Sequence, residues 1–142
     1  MRPFALPADL TPDLAGAHAY WEGLLRGAAP MPFWDDLVLA DLEGVRGNTF
    51  TLEVFDKPER FRFGLVGEDL KACCAGEVEG VFLGEGALPE PFDFLLAQAS
   101  ATVESRGPTL HRGGGDRPYA RMLLPMWGEG RIGLLLGVIE RP

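Results

Sequence analysis

The stretch Arg60-Phe-Arg-Phe-Gly-Leu-Val-Gly-Glu-Asp-Leu70 decides the fold, because its residue pattern changes halfway along. From Arg60 to Val66 apolar and polar residues alternate, which is typical of a strand with one buried face. Gly67 then precedes two acidic residues, a pattern that favours the start of a short helix. Thr49 to Phe55 alternates in the same way and is joined to this stretch by the turn Asp56–Glu59. The two alternating segments are therefore predicted to form a β-hairpin.

The second half of the chain predicts one long helix followed by three strands. Pro89 and Pro91 precede apolar residues at helical spacing, and Gly107 followed by Pro108 is a typical helix stop. The apolar face of this helix is predicted to consist of Phe92, Leu95, Leu96, Ala99 and Val103. Glycine-rich turns then separate three strand-like segments, which are Thr109–Arg112, Tyr119–Met126 and Arg131–Ile139.

The N-terminal region predicts a leading helix from Pro12 to Arg26, with Thr11 as its N-cap. A chain of 142 residues fits one domain, which we divide into an N-terminal helical extension, residues 1–48, and a core, residues 49–142. The predicted fold class is α/β, in the α+β sense: a five-stranded antiparallel sheet with helices on one face, preceded by an N-terminal helix.

The ordered motifs of the chain are similar to those of a family of small bacterial PAS-domain proteins. The matching residues are Tyr20-Trp21 with Leu24-Leu25, Arg60 to Gly67, Arg117 to Pro125, and Leu135-Leu136-Gly137. The chain departs from the family at Gly64, where an arginine is usual. The resemblance implies a PAS-like fold, with a pocket enclosed by the sheet and the surrounding helices. It also implies a sensory or regulatory module in signal transduction, which binds a small molecule or a signalling protein partner.

Composition excludes several classes of function. The net charge of −8 and the pI of about 4.7 argue against binding to nucleic acid or to an anionic membrane, because phosphates repel an acidic surface. The longest apolar run, Ile132 to Ile139, is too short to span a membrane. Cys73 and Cys74 are the only cysteines and are adjacent, so we expect no disulfide framework and a reducing, cytoplasmic location.

The residues that could carry chemistry do not form a catalytic pattern. His18 and His111 lie on separate elements, and the adjacent cysteines lack the spacing of a metal site. The Gly113-Gly-Gly115 run lies between two strands, where a turn rather than a phosphate cradle is expected. We therefore predict that the protein is not an enzyme and carries no metal, haem, flavin or other cofactor.

Arg62 and Arg121 stand out because each lies in an otherwise apolar strand. One interpretation is a solvated or salt-bridged sheet face, since arginine stems cover apolar surface well. The alternative is an anionic ligand held by the guanidinium groups. The first interpretation is favoured.

Two functions of the predicted module remain open. The first is a sensor that binds a small apolar ligand between the sheet and the long helix. Its predicted lining is Phe50, Leu52, Phe61, Phe63, Cys73, Cys74, Leu95 and Leu96. The second is a ligand-free interaction or dimerisation scaffold, in which aromatic residues including Phe94 fill that space. The apolar face of the leading helix, at Trp21, Leu24 and Leu25, could either cover the outer surface of the sheet or pair with a second copy of the chain. Of these two uses we predict the second, a homodimer.

Overall fold

The hairpin predicted from the two alternating segments is present. The computed structural model describes residues 4–42, 44–75, 78–84 and 88–141, without the side chains of Cys74 and Ala75. Five antiparallel strands form one sheet: β1 (Thr49–Phe55), β2 (Arg60–Val66), β3 (Thr109–Gly113), β4 (Tyr119–Gly128) and β5 (Arg131–Glu140). Their order across the sheet is β2-β1-β5-β4-β3. The predicted α+β class and the five-stranded antiparallel sheet are therefore confirmed.

Three α-helices accompany the sheet. They are α1 (Pro12–Gly23), the short α2 (Glu68–Leu70), which continues into a π-helical turn at Lys71–Ala75, and α3 (Leu95–Ser105). Three single 3₁₀ turns, Trp34–Asp36, Leu39–Leu42 and Arg46–Asn48, connect α1 to β1. None of the helices in the described ranges is both long and apolar enough to cross a membrane.

The long helix is shorter than predicted at both ends. Phe94 has a left-handed backbone, with φ of 60°, so α3 begins at Leu95 instead of at the preceding prolines. At the other end Arg106, with φ of 58°, takes the left-handed position expected of Gly107. A non-glycine residue in this region is uncommon, and neither the proline nor the glycine signal predicted it.

Helices lie on both faces of the sheet, with α3 on one face and the N-terminal helix α1 on the other. We call the face that carries Phe61 and Phe63 the inner face and the opposite one the outer face. Gln98 of α3 is hydrogen-bonded to the backbone of Arg121, so α3 covers the inner face at β4. On the outer face α1 packs against β4 and β5, and Trp21 donates from Nε1 to the Pro125 carbonyl at 2.9 Å.

Burial follows from this two-sided arrangement. Consecutive residues of β4 point to opposite faces, yet Met122, Leu123 and Leu124 are all 0% exposed. The same holds for Leu135 and Leu136 of β5. The two central strands are therefore buried on both faces, which explains why their sequences read as continuous apolar runs.

Short segments cover parts of both edges of the sheet. Beside β2, Phe63 donates its amide to Val81 at 2.9 Å and Leu83 donates to Phe61 at 2.8 Å. Beside β3, Ala5 pairs with Thr109 as an isolated antiparallel bridge. Such covering satisfies main-chain groups that an open sheet edge would expose.

Candidate functional site

The predicted ligand pocket on the inner face is filled by aromatic side chains. Phe50 and Phe63 pack edge to face against Phe92, with ring centroids 5.5 Å and 5.4 Å away. Phe61, Leu52 and Leu95 are buried in the same core cluster. The predicted strand register is thus confirmed, because the hairpin phenylalanines point inward. Their role as ligand contacts stays a prediction.

One of the aromatic residues predicted to fill this space does not lie in it. Phe92 is buried, whereas Phe94, expected in the filled interior, is 68% exposed. The left-handed backbone at Phe94 turns the chain just before α3, which separates the two rings. The packing of Phe50 requires glycine at position 137, because a Cβ at Gly137 would overlap the Phe50 ring.

Two other predicted lining residues are exposed. Leu96 is 37% exposed, because α3 presents Leu95, Gln98 and Ala99 to the sheet and leaves its neighbour outside. Cys73 is exposed and disulfide-bonded, so the expectation of unbonded adjacent cysteines is wrong at Cys73. The side chain of Cys74 lies outside the described part of the structure, so its predicted place at the pocket rim stays a prediction.

The apolar face of α1 packs on the chain's own sheet. Trp21 is 5% exposed and is hydrogen-bonded to Pro125, which makes it part of the core and not an available interface residue. Its predicted role in a homodimer is therefore corrected to intramolecular packing. Leu24 and Leu25 are half-buried against the core, and their role in a dimer stays a prediction.

The most unusual feature of the interior is a charged side chain. Arg121 is 0% exposed and points to the inner face, so neither interpretation made from the sequence, a solvated face or an anion site, describes it. Its Nε donates to Oε1 of Gln98 at 2.7 Å, and its terminal nitrogens donate to the carbonyls of Pro91 at 2.6 Å and Asp93 at 2.9 Å. Burial lowers the pKa of Arg121 to about 10.

Gln98 connects this arginine to β3. Its Nε2 donates to the Arg121 carbonyl at 3.0 Å and to Oγ1 of Thr109 at 3.1 Å. Oγ1 of Thr102 lies 2.7 Å from the same Thr109 oxygen and also donates to the Gln98 carbonyl at 2.8 Å. The buried face of α3 is thus partly polar. Gln98 and Thr102 were missed because hydrophobic spacing counts only apolar residues; an arginine inside an apolar strand was the available signal.

Tyr119 and His111 border the same cluster. The Tyr119 hydroxyl donates to Oδ1 of Asp93, and burial followed by this hydrogen bond raises the pKa of Tyr119. Nε2 of His111 is buried and has no hydrogen-bond partner among the described residues. Burial, followed by the charge of Arg121, lowers the pKa of His111, while Asp93 opposes the shift. Within the described residues no group of three His, Cys, Asp or Glu is placed to hold a metal ion.

The outer face holds an open groove of about 500 Å³. Glycines line it at Gly64, Gly128 and Gly133, and Trp34 lies against Gly128, where a Cβ would overlap its indole. A Cβ at Gly64 would likewise overlap the hydroxyl of Thr51. The absence of a side chain at Gly64 therefore contributes to the shape of this groove.

Exposed apolar residues lie along this groove. Trp34 is 49% exposed and Leu65 is 59% exposed, and Leu134 contributes to the same lining. Beside the groove, Arg62 of β2 forms a bidentate ion pair with Glu53 of β1. Its Nε and one terminal nitrogen donate to the two carboxylate oxygens at 3.1 Å and 2.8 Å. The cross-strand salt bridge anticipated for Arg62 is confirmed. We refer to the surface lined by Trp34, Gly64, Leu65, Gly128 and Leu134 as the outer groove.

Comparison of the chain with protein-family models, with curated proteins and with solved structures found no match.

Proposed function

We propose that this protein is a PAS-like regulatory module with a packed interior, which acts by binding a segment of another protein in the outer groove. The observation that carries the proposal is the contrast between the two sheet faces. On the inner face, Phe50, Phe63 and Phe92 pack ring against ring. On the outer face, Trp34 and Leu65 are about half exposed beside a groove.

The PAS-like assignment rests on the motif resemblance and on the order of elements. The hairpin β1–β2, a helical segment, α3 and the three-strand meander follow one another as the resemblance implies. The filled interior supports binding of a protein partner over binding of a small apolar ligand between the sheet and α3. Aromatic side chains packed at these distances leave little room for a ligand.

The occupant we propose for the outer groove is a segment that carries an apolar anchor and basic residues. Aromatic residues such as Trp34 are typical anchors of protein interfaces. Two carboxylates line the groove, at Glu129 and at Glu53, the second of which is already paired with Arg62. Among the described lining residues the cation is Arg131, which donates to the Val54 carbonyl and lies 3.8 Å from Asp56. The net charge of −8 attracts cationic segments and makes two copies of the chain repel each other.

A selection from a random peptide library displayed on phage tests this proposal with the intact chain as bait. We expect enrichment of peptides that combine an aromatic or long aliphatic residue with lysine or arginine. Binding of the selected peptides should weaken at least about tenfold in Trp34→Ala, the loss expected when an anchor that contributes about 1.4 kcal/mol or more is removed. Raising the salt concentration should also weaken binding, since exposed charges are screened.

The matched control is Leu96→Ala, which removes an exposed apolar side chain on α3, away from the groove. Its peptide affinity should equal that of the wild type. Enrichment of acidic peptides, or equal binding by the Trp34→Ala and wild-type chains, would contradict the proposal.

Two rival occupants are distinguished by separate measurements. A second copy of this chain in the groove would give a dimer by light scattering that Leu65→Ser dissociates. A small ligand in the interior would be retained on native purification and detected by mass spectrometry. Either result would replace the protein-segment proposal by the homodimer or by the small-molecule sensor.

A further inference from the structure

The first described residues form a short extended arm beside β3. Ala5 pairs with Thr109, and the Phe4 carbonyl accepts the amide of Leu110 at 2.9 Å. In the described part of the chain this is the main-chain contact that covers the β3 edge. Pro7 lacks an amide hydrogen and so cannot donate to the pairing. Among the described residues of the arm the hydrogen bonds to β3 are few, and such a segment belongs to the part of a protein that opens most readily.

The side chain that faces this arm is His111. Its ring lies 6.0 Å from the ring of Phe4, and the rings of Phe94 and Tyr119 are each 5.8 Å away. Three aromatic rings therefore surround the imidazole. Its Nε2 is buried without a hydrogen-bond partner among the described residues, an arrangement that is uncommon for a polar atom in a folded protein.

The charges around His111 come from two elements. β4 contributes the buried guanidinium of Arg121 and the phenol of Tyr119. The segment before α3 contributes Asp93, whose Oδ1 accepts the Tyr119 hydroxyl. The arm, from Phe4 to Ala8, brings no charged side chain. A proton on His111 therefore meets a like charge at Arg121 and a carboxylate that is already hydrogen-bonded.

We propose that residues 4–6 form a strap over the β3 edge, and that protonation of His111 releases it. A protonated imidazole is poorly accommodated where its Nε2 is buried away from water and Arg121 lies nearby, whereas it is readily hydrated once the strap has left. Release uncovers main-chain groups of β3, which are the kind of surface that an extended protein segment pairs with. This strap lies on a different part of the sheet from the outer groove and does not depend on it.

The sign of the pH effect follows from the two states of the histidine. In the strapped state the pKa of His111 is below its ordinary value, and in the released state it returns toward that value. Protons therefore bind the released state more tightly. The opening equilibrium should increase roughly tenfold for each pH unit below about 6.5, until the strapped-state pKa is reached.

Hydrogen exchange of the Leu110 amide in the full chain measures this opening. NMR follows the exchange from about pH 7.5 to about pH 5, roughly the range over which an exposed histidine titrates. The rates are corrected for the intrinsic exchange rate at each pH. We expect faster opening as the pH falls, with the His111 ring resonances titrating below the ordinary histidine value of about 6.5. The Leu135 amide, on a central strand, should show no parallel change.

Two variants complete the test. His111→Phe keeps an aromatic ring and removes the titration, so the Leu110 opening should become independent of pH in this range. His18→Gln removes the other histidine and should leave the wild-type dependence intact. A flat profile in the wild type, a dependence that persists in His111→Phe, or parallel opening of Leu135 would each overturn the proposal. If His111→Phe does not fold, the titration of the His111 ring resonances in the wild type decides the question, because the proposal requires a midpoint below the ordinary value.

Discussion

Nε of Arg121 donates to Oε1 of Gln98 at 2.7 Å in the interior between β4 and α3. This contact joins the two elements through polar groups that have left water entirely, since both residues are 0% exposed. Each partner also bonds to other elements: Arg121 to the segment before α3, and Gln98 to Thr109. The pair therefore connects the helix, its preceding loop and two strands.

Removing either partner should destabilise the protein strongly. Gln98→Leu leaves the Arg121 Nε without its acceptor and removes one of the two side-chain hydrogen bonds of the Thr109 hydroxyl, and should lower the free energy of unfolding by about 2–4 kcal/mol. Arg121→Met should cost about 3–5 kcal/mol, because the carbonyls of Pro91 and Asp93 also lose their donors. Denaturant unfolding measures both values.

The double variant Gln98→Leu with Arg121→Met should lose less stability than the sum of the two single changes, because neither partner is then left unpaired. Additive losses would contradict the direct coupling of the two residues.

Trp21 should prove to be a core residue of the monomer. Trp21→Phe removes the donor to the Pro125 carbonyl and part of the ring volume, and should cost at least about 1–2 kcal/mol. Trp21→Ala also leaves a cavity against β4 and β5 and should cost about 3–5 kcal/mol. Unfolding monitored by circular dichroism gives both numbers. A change in oligomeric state at unchanged stability would instead favour the dimer interface predicted from the sequence.

Two glycines should respond in opposite directions to substitution by alanine. At Gly137 the new methyl group overlaps the Phe50 ring, which is enclosed by other core rings, so Gly137→Ala should cost about 1–3 kcal/mol. At Gly16, in α1, a Cβ meets no atom within 4 Å. Gly16→Ala should therefore stabilise the helix by up to about 1 kcal/mol. Thermal unfolding of the pair tests the prediction, and a destabilised Gly16→Ala would contradict the exposed placement.

Both tyrosines should ionise late in an alkaline titration. Burial is the largest cause that raises the pKa of Tyr20 and of Tyr119 above the ordinary value of 10.0. Because the unfolded chain releases these protons first, the stability that they contribute is present below about pH 10 and is lost as the pH rises further. Phenolate absorbance in the near ultraviolet measures the titration.

Tyr119→Phe should remove the later of the two ionisation steps and leave the step of Tyr20, which is less buried than Tyr119. Ionisation of Tyr119 near its ordinary pKa in the folded protein would show that the hydroxyl is not held by Asp93.

Local patterns in the sequence determined the elements of the fold. Period two in Arg60–Val66 placed Phe61 and Phe63 on the buried face, and the Thr11-Pro12 cap placed the start of α1. These signals are local, because a strand or helix alternates its side chains with a fixed geometry. They could also identify Arg121 as exceptional, since a charged residue inside an apolar strand is visible without a structure.

Only the tertiary structure decided which elements pack against each face of the sheet and each face of the helices. Nothing local distinguishes a sheet covered by helices on one face from a sheet covered on both, so Trp21 read equally well as an interface residue and as a core residue. The role of Gln98 also could not be predicted locally, because the hydrogen bond that it accepts in the core comes from Arg121, 23 positions away in sequence. Polar burial is tolerated only where the partner's position is fixed. That position is set by the packing of α3 on β4, which no local pattern contains.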